Sequence, residues 1–307
     1  MLAIDDKMAL LKQPLHGIYI PVALVFFGTC LIEYHYLPYT MGFVAMLCTY
    51  NFVDAWSRSR SIDPVKWSEL ELIDKTFVSK DSAIYRFKLF HDDEVLVIPT
   101  GHHLACCFSI DGKDEIRYYS PISNQFDAGF FDILVKSYPN GKVSKAFAFL
   151  KEGQTVKFRG PVGRLVYTTN MAEHIGLVAG GSGITPILQV ITRVITTAED
   201  RAKLTLLYGN ETENDILLKN ELDEIANKYP HFSVHYTVTH PSASWTGEQG
   251  YVTKEMLERY MPAQSSTSRL FICGPPEMKR KLIEDSVALG WERTTMKSNA
   301  SDQVFCF

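Results

Sequence analysis

The sequence predicts a chain in three parts: N-terminal membrane helices, an antiparallel β-barrel, and an α/β domain built on a parallel sheet. Two apolar runs, residues 18–32 and 37–53, stand near the start of the chain. Short β-rich stretches separated by turn residues follow, and strands then alternate with helical patterns. We expect the boundaries of these parts at residues 1–55, 56–169 and 170–307.

Composition is typical of a globular protein. The 307 residues allow two ordinary domains and an accessory segment, and 46% of them are hydrophobic while 21% are charged. The formal net charge of −4 argues against a nucleic-acid partner, because such a partner requires a basic surface.

The cysteines and histidines show no metal-site spacing. None of the six cysteines forms a CxxC pair, so neither a zinc ribbon nor an iron–sulfur site is predicted. The pattern fits free thiols in a reducing compartment. His102 and His103 are adjacent but have no further ligand at suitable spacing, and we assign both a structural role. We therefore expect no metal.

The N-terminal segment has the character of a membrane anchor. Between residues 17 and 53 the only full charge is Glu33. A bilayer core of about 30 Å takes roughly 20 helical residues, and each apolar run approaches that length with its flanking tyrosines. We predict one or two transmembrane helices in the lipid bilayer and favour two. A buried helical hairpin is the alternative; the second run argues against a cleaved signal peptide.

Basic residues set the expected orientation of this anchor. Arg58, Arg60 and Lys66 follow the second apolar run. By the positive-inside rule, these charges place the remainder of the chain in the cytosol. Two spans would return Lys7 and Lys12 to the same side.

The second part contains a peptide with an unusual order of side chains. Its predicted strands are "AIYRFKL", "VLVIP", "LACCFSI", "IRYYSP", "FFDILVKSY", "TVKFRGP" and "RLVY", and their short, regular spacing favours an antiparallel barrel or sandwich. In "IRYYSP", alternation places Arg117 and Tyr119 on one face and Tyr118 and Ser120 on the other. A cation beside an aromatic plane suits an anion that is attached to a flat ring system.

The third part carries two loops at one sheet edge. The strands "HIGLVA", "KLTLLYGN", "FSVHYTVT" and "RLFICGPPEM" alternate with helices, which predicts βαβ units. "VAGGSGITP" is neither a GxGxxG nor a Walker loop, but its glycines allow a phosphate to approach a helix start; a tight turn is the alternative. Cys273 ends another strand, so it lies at the same edge, as a site residue or as a small buried one.

A further anion site is predicted in "YPNGKVSKAF". Gly141 and Ser144 place hydrogen-bond donors at a helix start, and Lys142 adds positive charge. The alternative is a surface turn that leads into a short helix.

Taken together, these motifs resemble the NADH-cytochrome b5 reductase family of the ferredoxin–NADP reductase superfamily. The resemblance covers residues 62–307 and rests on R-x-Y-[ST] at 117–120, GKxS at 141–144, GGxGITP at 180–186, CGPPxM at 273–278 and the terminal "DQVFCF". The membrane segment and "GHHLACCF" are similar to a fungal, membrane-anchored branch of the family.

The resemblance implies an FAD site on the barrel. Arg117 would pair with the pyrophosphate, Tyr119 would lie against the isoalloxazine, and Ser120 would hydrogen-bond near its N5. Tyr118, where the family usually has proline or alanine, would point away from the flavin. The other residues of the flavin region would be Lys136, Tyr138, Gly141, Lys142, Val143 and Ser144.

The resemblance also implies an NADH site on the α/β domain. The glycine loop would admit the dinucleotide. Thr185 and Cys273 would lie beside the nicotinamide and, with Ser120, form the expected catalytic set. The other nucleotide-binding residues would be Gly180, Gly181, Gly183, Gly274, Pro275, Met278 and Phe307.

Asp215, in "ETENDILLK", matches the acidic residue that the family uses on the adenine ribose. A carboxylate there accepts hydrogen bonds from a 2′-hydroxyl and repels a 2′-phosphate, which favours NADH over NADPH. Asp215 is equally suited to cap the following helix, and one oxygen cannot easily serve both purposes.

The activity that the resemblance implies is hydride transfer from NADH to FAD, followed by single-electron transfer to a haem protein such as cytochrome b5. The enzyme would be membrane-anchored with a cytosolic catalytic domain. We favour the endoplasmic reticulum, with the plasma membrane and the outer mitochondrial membrane as alternatives. Alternative functions are a non-catalytic membrane flavoprotein that acts as a binding partner, and an NADPH-preferring reductase.

Overall fold

The chain divides into two compact units, Met1–Ser61 and Ile62–Phe307. The computed structural model describes residues 19–124 and 126–307. The described part of the first unit is helical, whereas the second unit contains two six-stranded sheets.

Two helices make up most of the described part of the first unit. Helix α1 spans Tyr19–Ile32, a 3-10 turn spans Tyr34–Tyr36, and helix α2 spans Leu37–Ser57. Within the described residues, no helix combines the length and the apolar character that crossing a bilayer requires, so the predicted membrane spans are not confirmed. Lys7 and Lys12, which enter the orientation argument, lie outside the described residues.

The second unit begins with an antiparallel barrel, as predicted. Its strands are β1 (Ser68–Phe77), β2 (Ser82–Lys88), β3 (His103–Ile110), β4 (Lys113–Tyr119), β5 (Phe130–Lys136) and β6 (Thr155–Val162). They are ordered β4-β3-β6-β1-β2-β5. A bridge between Pro121 and Ile133 links the two edges of this order, so the sheet curls on itself.

Aromatic side chains fill the barrel and hold helix α3 (Lys142–Phe149) against it. The ring centroid of Phe87 lies 4.7 Å from that of Phe158 and 5.6 Å from that of Phe131, and all three rings are fully buried. Phe147 of α3 packs on this cluster, 6.4 Å from Phe87. Burial of each such side chain contributes about 1.5–3 kcal/mol, so the barrel core fixes the position of α3.

Two predicted barrel strands do not form, and one observed strand was not predicted. "VLVIP" makes only an isolated bridge at Val95, and "RLVY" is irregular. Val97 is 76% and Val166 is 63% exposed, so these β-forming side chains have no sheet face to pack against. Strand β1 is largely polar and buries only Leu70 and Leu72, which is why the hydrophobic pattern did not reveal it.

The α/β domain is built on a parallel sheet, also as predicted. Its strands are β7 (His174–Gly180), β8 (Lys203–Asn210), β9 (Phe232–Val238), β10 (Glu248–Gln249), β11 (Ser268–Cys273) and β12 (Val304–Cys306), in the order β10-β9-β8-β7-β11-β12. All of their pairings are parallel. The domain's helices are α4 (Ile184–Thr196), α5 (Lys219–Lys228), α6 (Lys254–Tyr260) and α7 (Pro276–Ala288).

The strand order reverses at β7, which has β8 on one side and β11 on the other. Cys273, the last residue of β11, pairs with Ala179 of β7 and therefore lies beside Gly180. In open α/β sheets, ligands bind beyond the carboxyl ends of the strands at such a switch point. The fold thus brings the glycine loop and Cys273 to one crevice.

Candidate active site

A cleft of about 650 Å³ lies between the barrel and the carboxyl edge of the parallel sheet. Three predicted site residues, Gly181, Asp215 and Met278, are outside its lining. The predicted residues that line it are Arg117, Tyr119, Ser120, Lys136, Tyr138, Gly141, Lys142, Val143, Ser144, Gly180, Gly183, Thr185, Cys273, Gly274, Pro275 and Phe307.

Glu115 binds both cations on the barrel side of the cleft. Its carboxylate accepts a hydrogen bond of 2.6 Å from the Lys142 ammonium and lies 3.6 Å from the Arg117 guanidinium. The hydrogen bond from Lys142 is the main reason that the pKa of Glu115 is held below its ordinary value. Two positive charges are therefore gathered at the start of α3 and balanced by one carboxylate.

The start of α3 offers backbone donors to the cleft. Gly141 is its N-cap, and no side chain of the described residues caps it. A Cβ on Gly141 would collide with Ser144 Oγ, which accepts a hydrogen bond from the Tyr138 N–H at 3.2 Å. A side chain at this position would displace the Ser144 hydroxyl, so glycine preserves the hydrogen bond to Tyr138. The first N–H groups of α3 remain available to an anion.

Tyr118 and Tyr119 both line the cleft, in different environments. Tyr119 is half-buried, 5.2 Å from Phe147 between ring centroids, and burial raises its pKa. Tyr118 is 57% exposed and contacts His103 edge-on. Strand alternation predicted that Tyr118 would point away. Both residues keep the regular pairing of β4 with β3, so alternation still places them on opposite faces, and the cleft is lined from both faces at this edge strand.

His103 is a cleft residue that the sequence interpretation assigned to structure alone. Burial, together with the nearby His102, lowers the pKa of His103 to about 4, so its imidazole is neutral at physiological pH. Leu104 pairs with Tyr119 across β3 and β4, which brings His103 beside Ser120. The register between β3 and β4 identifies His103 as a cleft residue. The sequence of either strand alone does not show this proximity. The other lining residues that were not predicted are Leu134, Ser182, Pro186 and Pro276.

Lys136 and Asp215 form an ion pair that joins the barrel to the α/β domain. The Lys136 ammonium donates to Asp215 Oδ1 at 2.8 Å and lies 3.5 Å from Asp81. Burial alone would lower the pKa of Lys136, but the bond to Asp215 and the charge of Asp81 raise it. Burial would likewise raise the pKa of Asp215, but its hydrogen bonds to Lys136 and Thr212 lower it. Both groups are therefore charged at neutral pH.

The second oxygen of Asp215 closes a capping box. Oδ2 accepts hydrogen bonds from the Thr212 N–H at 3.0 Å and the Thr212 hydroxyl at 2.6 Å, around the 3-10 turn Glu213–Asp215. Helix α5 begins later, at Lys219, so Asp215 caps this turn and not the long helix that the sequence predicted. Capping uses Oδ2, whereas Oδ1 accepts the hydrogen bond from Lys136, so the two oxygens of Asp215 have separate partners.

The glycine loop and the Cys273 loop pack backbone against backbone. A Cβ on Gly183 would lie 2.5 Å from the Cys273 carbonyl oxygen, and one on Gly274 would lie 3.2 Å from the Gly180 nitrogen. Met278 packs beneath these loops, since its Sδ would meet a Cβ on Gly180 at 2.5 Å. The crevice can therefore form only where side chains are absent.

Thr185, Cys273 and Phe307 line the nucleotide side of the cleft. Burial raises the pKa of Cys273 to about 12, so the thiol stays protonated and is not a nucleophile at neutral pH. The Thr185 hydroxyl donates to the Ser182 carbonyl at 3.2 Å. Lys279 donates to the Phe307 carbonyl at 2.8 Å, which fixes the chain end in the cleft.

Two family models match the chain. An oxidoreductase FAD-binding domain matches residues 69–167, and an oxidoreductase NAD-binding domain matches residues 177–283. The first match covers most of the barrel, and the second covers most of the α/β domain.

Close relatives and solved structures agree with these matches. The plasma membrane-associated coenzyme Q6 reductase PGA3 of Saccharomyces cerevisiae is 49% identical over 97% of both chains. NADH-cytochrome b5 reductase 1 of Aspergillus fumigatus is 40% identical over 97% of this chain and 99% of its own. The cytochrome b5 reductase domain of Ulva prolifera nitrate reductase aligns with a TM-score of 0.74 and 30% identity, covering 81% of this chain and all of that domain.

Proposed function

This chain belongs to the NADH-cytochrome b5 reductase family, and on that premise we propose that it is a membrane-associated reductase that passes electrons from NADH to a haem protein such as cytochrome b5. It is an oxidoreductase with FAD-binding and NAD-binding domains. The observation that carries the proposal is the shared cleft, in which the cations of the barrel face the Gly180 and Cys273 loops.

The barrel side of the cleft fits FAD. Arg117, Lys142 and the N-terminus of α3 supply positive charge and N–H donors for a diphosphate. Tyr119 presents an aromatic ring, and Ser120 is only 7% exposed, so its hydroxyl would meet the flavin in a site that excludes water. When bound, FAD accepts a hydride and releases electrons one at a time.

The nucleotide side would orient NADH. Gly180 and Gly183 leave room for the dinucleotide backbone, and Thr185 presents a hydroxyl at the start of α4. Because the Cys273 thiol is protonated, its role would be to shape the nicotinamide pocket without taking part in covalent chemistry. Asp215 would accept hydrogen bonds from the adenine ribose through Oδ1. These bonds would either replace the hydrogen bond from Lys136 or form in addition to it.

Replacing Asp215 with serine is expected to raise the NADPH-to-NADH ratio of kcat/KM by at least roughly tenfold, because like-charge repulsion of a 2′-phosphate costs several kcal/mol. The change also releases the Lys136 ammonium, which becomes available to that phosphate. Steady-state kinetics with both nucleotides measure the ratio.

Glu213→Ser is the matched control, since it removes a carboxylate two residues away that binds Ser242 and not Lys136. Its nucleotide ratio should stay near that of the unmodified protein. An unchanged ratio in Asp215→Ser would contradict the ribose role.

Replacing Glu115 with glutamine is expected to tighten FAD binding about two- to fivefold, the effect of one exposed charge pair. The carboxylate competes with the diphosphate for Arg117 and Lys142, and the amide does not. Fluorescence of released flavin at low and high salt gives the dissociation constant. Glu69→Gln is the control, because its partner Lys157 lies 3.9 Å away on β6. Weaker FAD binding in Glu115→Gln would show that Glu115 supports the site and does not compete there.

Two acceptor classes follow from the relatives. The reductases named for cytochrome b5 support a haem protein, and the relative named a coenzyme Q6 reductase supports a quinone as a second candidate. The same relative is named plasma membrane-associated, which supports our proposal of membrane attachment. We further propose that residues 1–55 form the attachment and that the catalytic domain lies in the cytosol. Endoplasmic reticulum, plasma membrane and outer mitochondrial membrane all fit this arrangement, and fractionation of tagged full-length protein separates them.

The reductase proposal is tested by the absorbance of the purified full-length protein before and after anaerobic addition of NADH. Bleaching of a flavin spectrum by NADH, followed by reoxidation with cytochrome b5, is the expected result. A flavin spectrum that NADH leaves unchanged would favour a non-catalytic flavoprotein. Faster bleaching with NADPH than with NADH would favour the NADPH-preferring alternative.

A further inference from the structure

A second cavity, of about 710 Å³, lies beside the active-site cleft. Its walls come from residues 96–100 before β3, residues 121–124 after β4, residues 165–167, and the α4 side chains from Leu188 to Thr196. The volume falls in the range of about 300–1,000 Å³ that is usual for small-molecule sites. Two of these walls are the apolar segments "VLVIP" and "RLVY", which were predicted as strands but pair with no sheet.

The wall between the cavity and the cleft is thin. Ser120 lines the cleft, and its neighbour Pro121 lines the cavity. At a second point, a Cβ on Gly101 would meet both Leu165 of the cavity at 2.6 Å and Phe307 of the cleft at 2.8 Å. A molecule in the cavity therefore lies within a side chain or two of the proposed flavin site.

Gln189 holds this wall in place. Its Oε1 accepts a hydrogen bond from the Gly101 N–H at 2.9 Å, and its Nε2 donates to the Pro121 carbonyl at 2.9 Å. The two segments that separate the cavity from the cleft are thus tied to one residue of α4. Both ends of the amide are engaged by these bonds, so Gln189 acts as a support for the wall.

Arg193 and His102 are polar side chains of the cavity that have unused hydrogen-bonding capacity. The Arg193 guanidinium makes no hydrogen bond or ion pair within the described part of the chain. His102 packs its ring on Gly163, and its Nδ1 is buried without a partner among the same residues. In a neutral imidazole one ring nitrogen donates and the other accepts, so His102 can supply one donor in addition to the Arg193 guanidinium.

The remaining lining combines apolar side chains with the polar residues Thr100, Ser123, Asn124, Thr192 and Thr196. Leu96, Ile98, Leu165 and Leu188 contribute to its walls, and the exposed Val97 described above belongs to the same lining. Donors set among apolar walls suit a neutral ring that bears carbonyl oxygens and an apolar tail. The lining contains one unpaired guanidinium and no helix N-terminus. It therefore has too few positive charges and N–H donors to bind the diphosphate of a dinucleotide. A protein partner would need an interface of about 1,200–2,000 Å² and not a cavity.

We propose that this cavity binds the ring of a lipophilic quinone, with its carbonyl oxygens accepting hydrogen bonds from Arg193 and His102. The inference rests on the proposed function, since the electrons must come from the neighbouring cleft. The reaction balances as NADH, one proton and the quinone giving NAD⁺ and the quinol. Haem-protein reduction does not require the cavity, so the two acceptor classes would be served by different surfaces.

The test uses FAD-loaded full-length protein in detergent, with decylubiquinone as the probe. Thr192 lies on α4, is half-buried and lines the cavity, so Thr192→Trp fills the space. We expect kcat/KM for decylubiquinone to fall roughly tenfold or more, the usual scale for a misfit in an apolar pocket. The NADH-dependent bleaching rate and cytochrome b5 reduction should stay unchanged. Ala198→Trp is the matched control, because Ala198 is exposed just beyond α4 and outside the lining.

A photoreactive azido-quinone gives a readout that does not depend on turnover. We expect its label on peptides from residues 96–102, 121–124, 165–167 or 188–196, and loss of that label in Thr192→Trp. Labelling confined to residues 117–120 or 273–278, or equal quinone kinetics in both tryptophan variants, would overturn the inference. If cytochrome b5 is reduced but decylubiquinone is neither reduced nor crosslinked, the cavity inference fails alone. If NADH does not bleach the flavin, the proposed function fails, and the crosslinking still reports on the cavity.

Discussion

Replacing Arg117 with alanine is expected to weaken FAD binding by roughly 10- to 100-fold, the range for hydrogen bonds to charged groups. The arrangement of charges at the start of α3 explains the expected size of this loss of affinity. Arg117 and Lys142 share the single carboxylate of Glu115, so the start of α3 carries one excess positive charge. Without Arg117 that excess is lost, and the diphosphate would meet a neutral ion pair. Titration of the apoprotein with FAD at fixed ionic strength measures the change.

Two variants separate this role from a general loss of surface charge. Arg117→Lys keeps the charge but not the planar donors, so its affinity should lie between those of the other two proteins. Lys157→Ala removes a half-exposed cation from β6 and should leave FAD binding unaltered. Full FAD occupancy in Arg117→Ala, at flavin concentrations near the dissociation constant, would refute the pyrophosphate role.

Replacing Gly183 with alanine is expected to slow flavin reduction by NADH about 100-fold, because a misplacement of about 1 Å in a reacting pair has that effect. The new Cβ would lie 2.5 Å from the carbonyl oxygen and 2.7 Å from the carbonyl carbon of Cys273. Both contacts are with backbone, so the two loops must separate. Overpacking of this kind also destabilises a fold by about 1–3 kcal/mol. Stopped-flow absorbance and thermal unfolding report the two effects.

Gly181→Ala is the control for the loss of a glycine as such. Its φ is +53°, so alanine there costs about 1–2 kcal/mol of left-handed strain. The nearest atom to its Cβ would be the Tyr138 hydroxyl at 3.9 Å, so no loop must move. We expect similar destabilisation in the two variants but a large rate loss only in Gly183→Ala. Equal rates of flavin reduction would show that close packing of the loops does not set the nicotinamide geometry.

Local patterns in the sequence were sufficient for most of the α/β domain. Strand β7, the glycine loop and helix α4 follow one another in "HIGLVAGGSGITPILQVITRVI", because period and turn residues are properties of neighbouring positions. The same holds for α3, whose N-cap Gly141 is adjacent to the residues that it positions.

The same patterns were misleading where burial decided the outcome. "VLVIP" and "RLVY" are rich in β-forming residues, yet they leave the barrel sheet and line the second cavity. Strand β1 forms with few apolar residues because it pairs with both β2 and β6. β-Propensity reflects packing on a sheet face. The local sequence does not show which segments pack on such a face in the folded protein.

The sequence by itself determined the order of the β-domain and the α/β domain, the loops that end β7 and β11, and the carboxylate at Asp215. Only the tertiary structure decided which charges meet. Glu115 lies between Arg117 and Lys142, and Lys136 reaches Asp215 from 79 positions away along the chain. It also decided that His103 enters the cleft, through the pairing of β3 with β4. The physical reason is that a motif consists of residues close together in the sequence, whereas an ion pair or a strand register requires two distant segments to pack together.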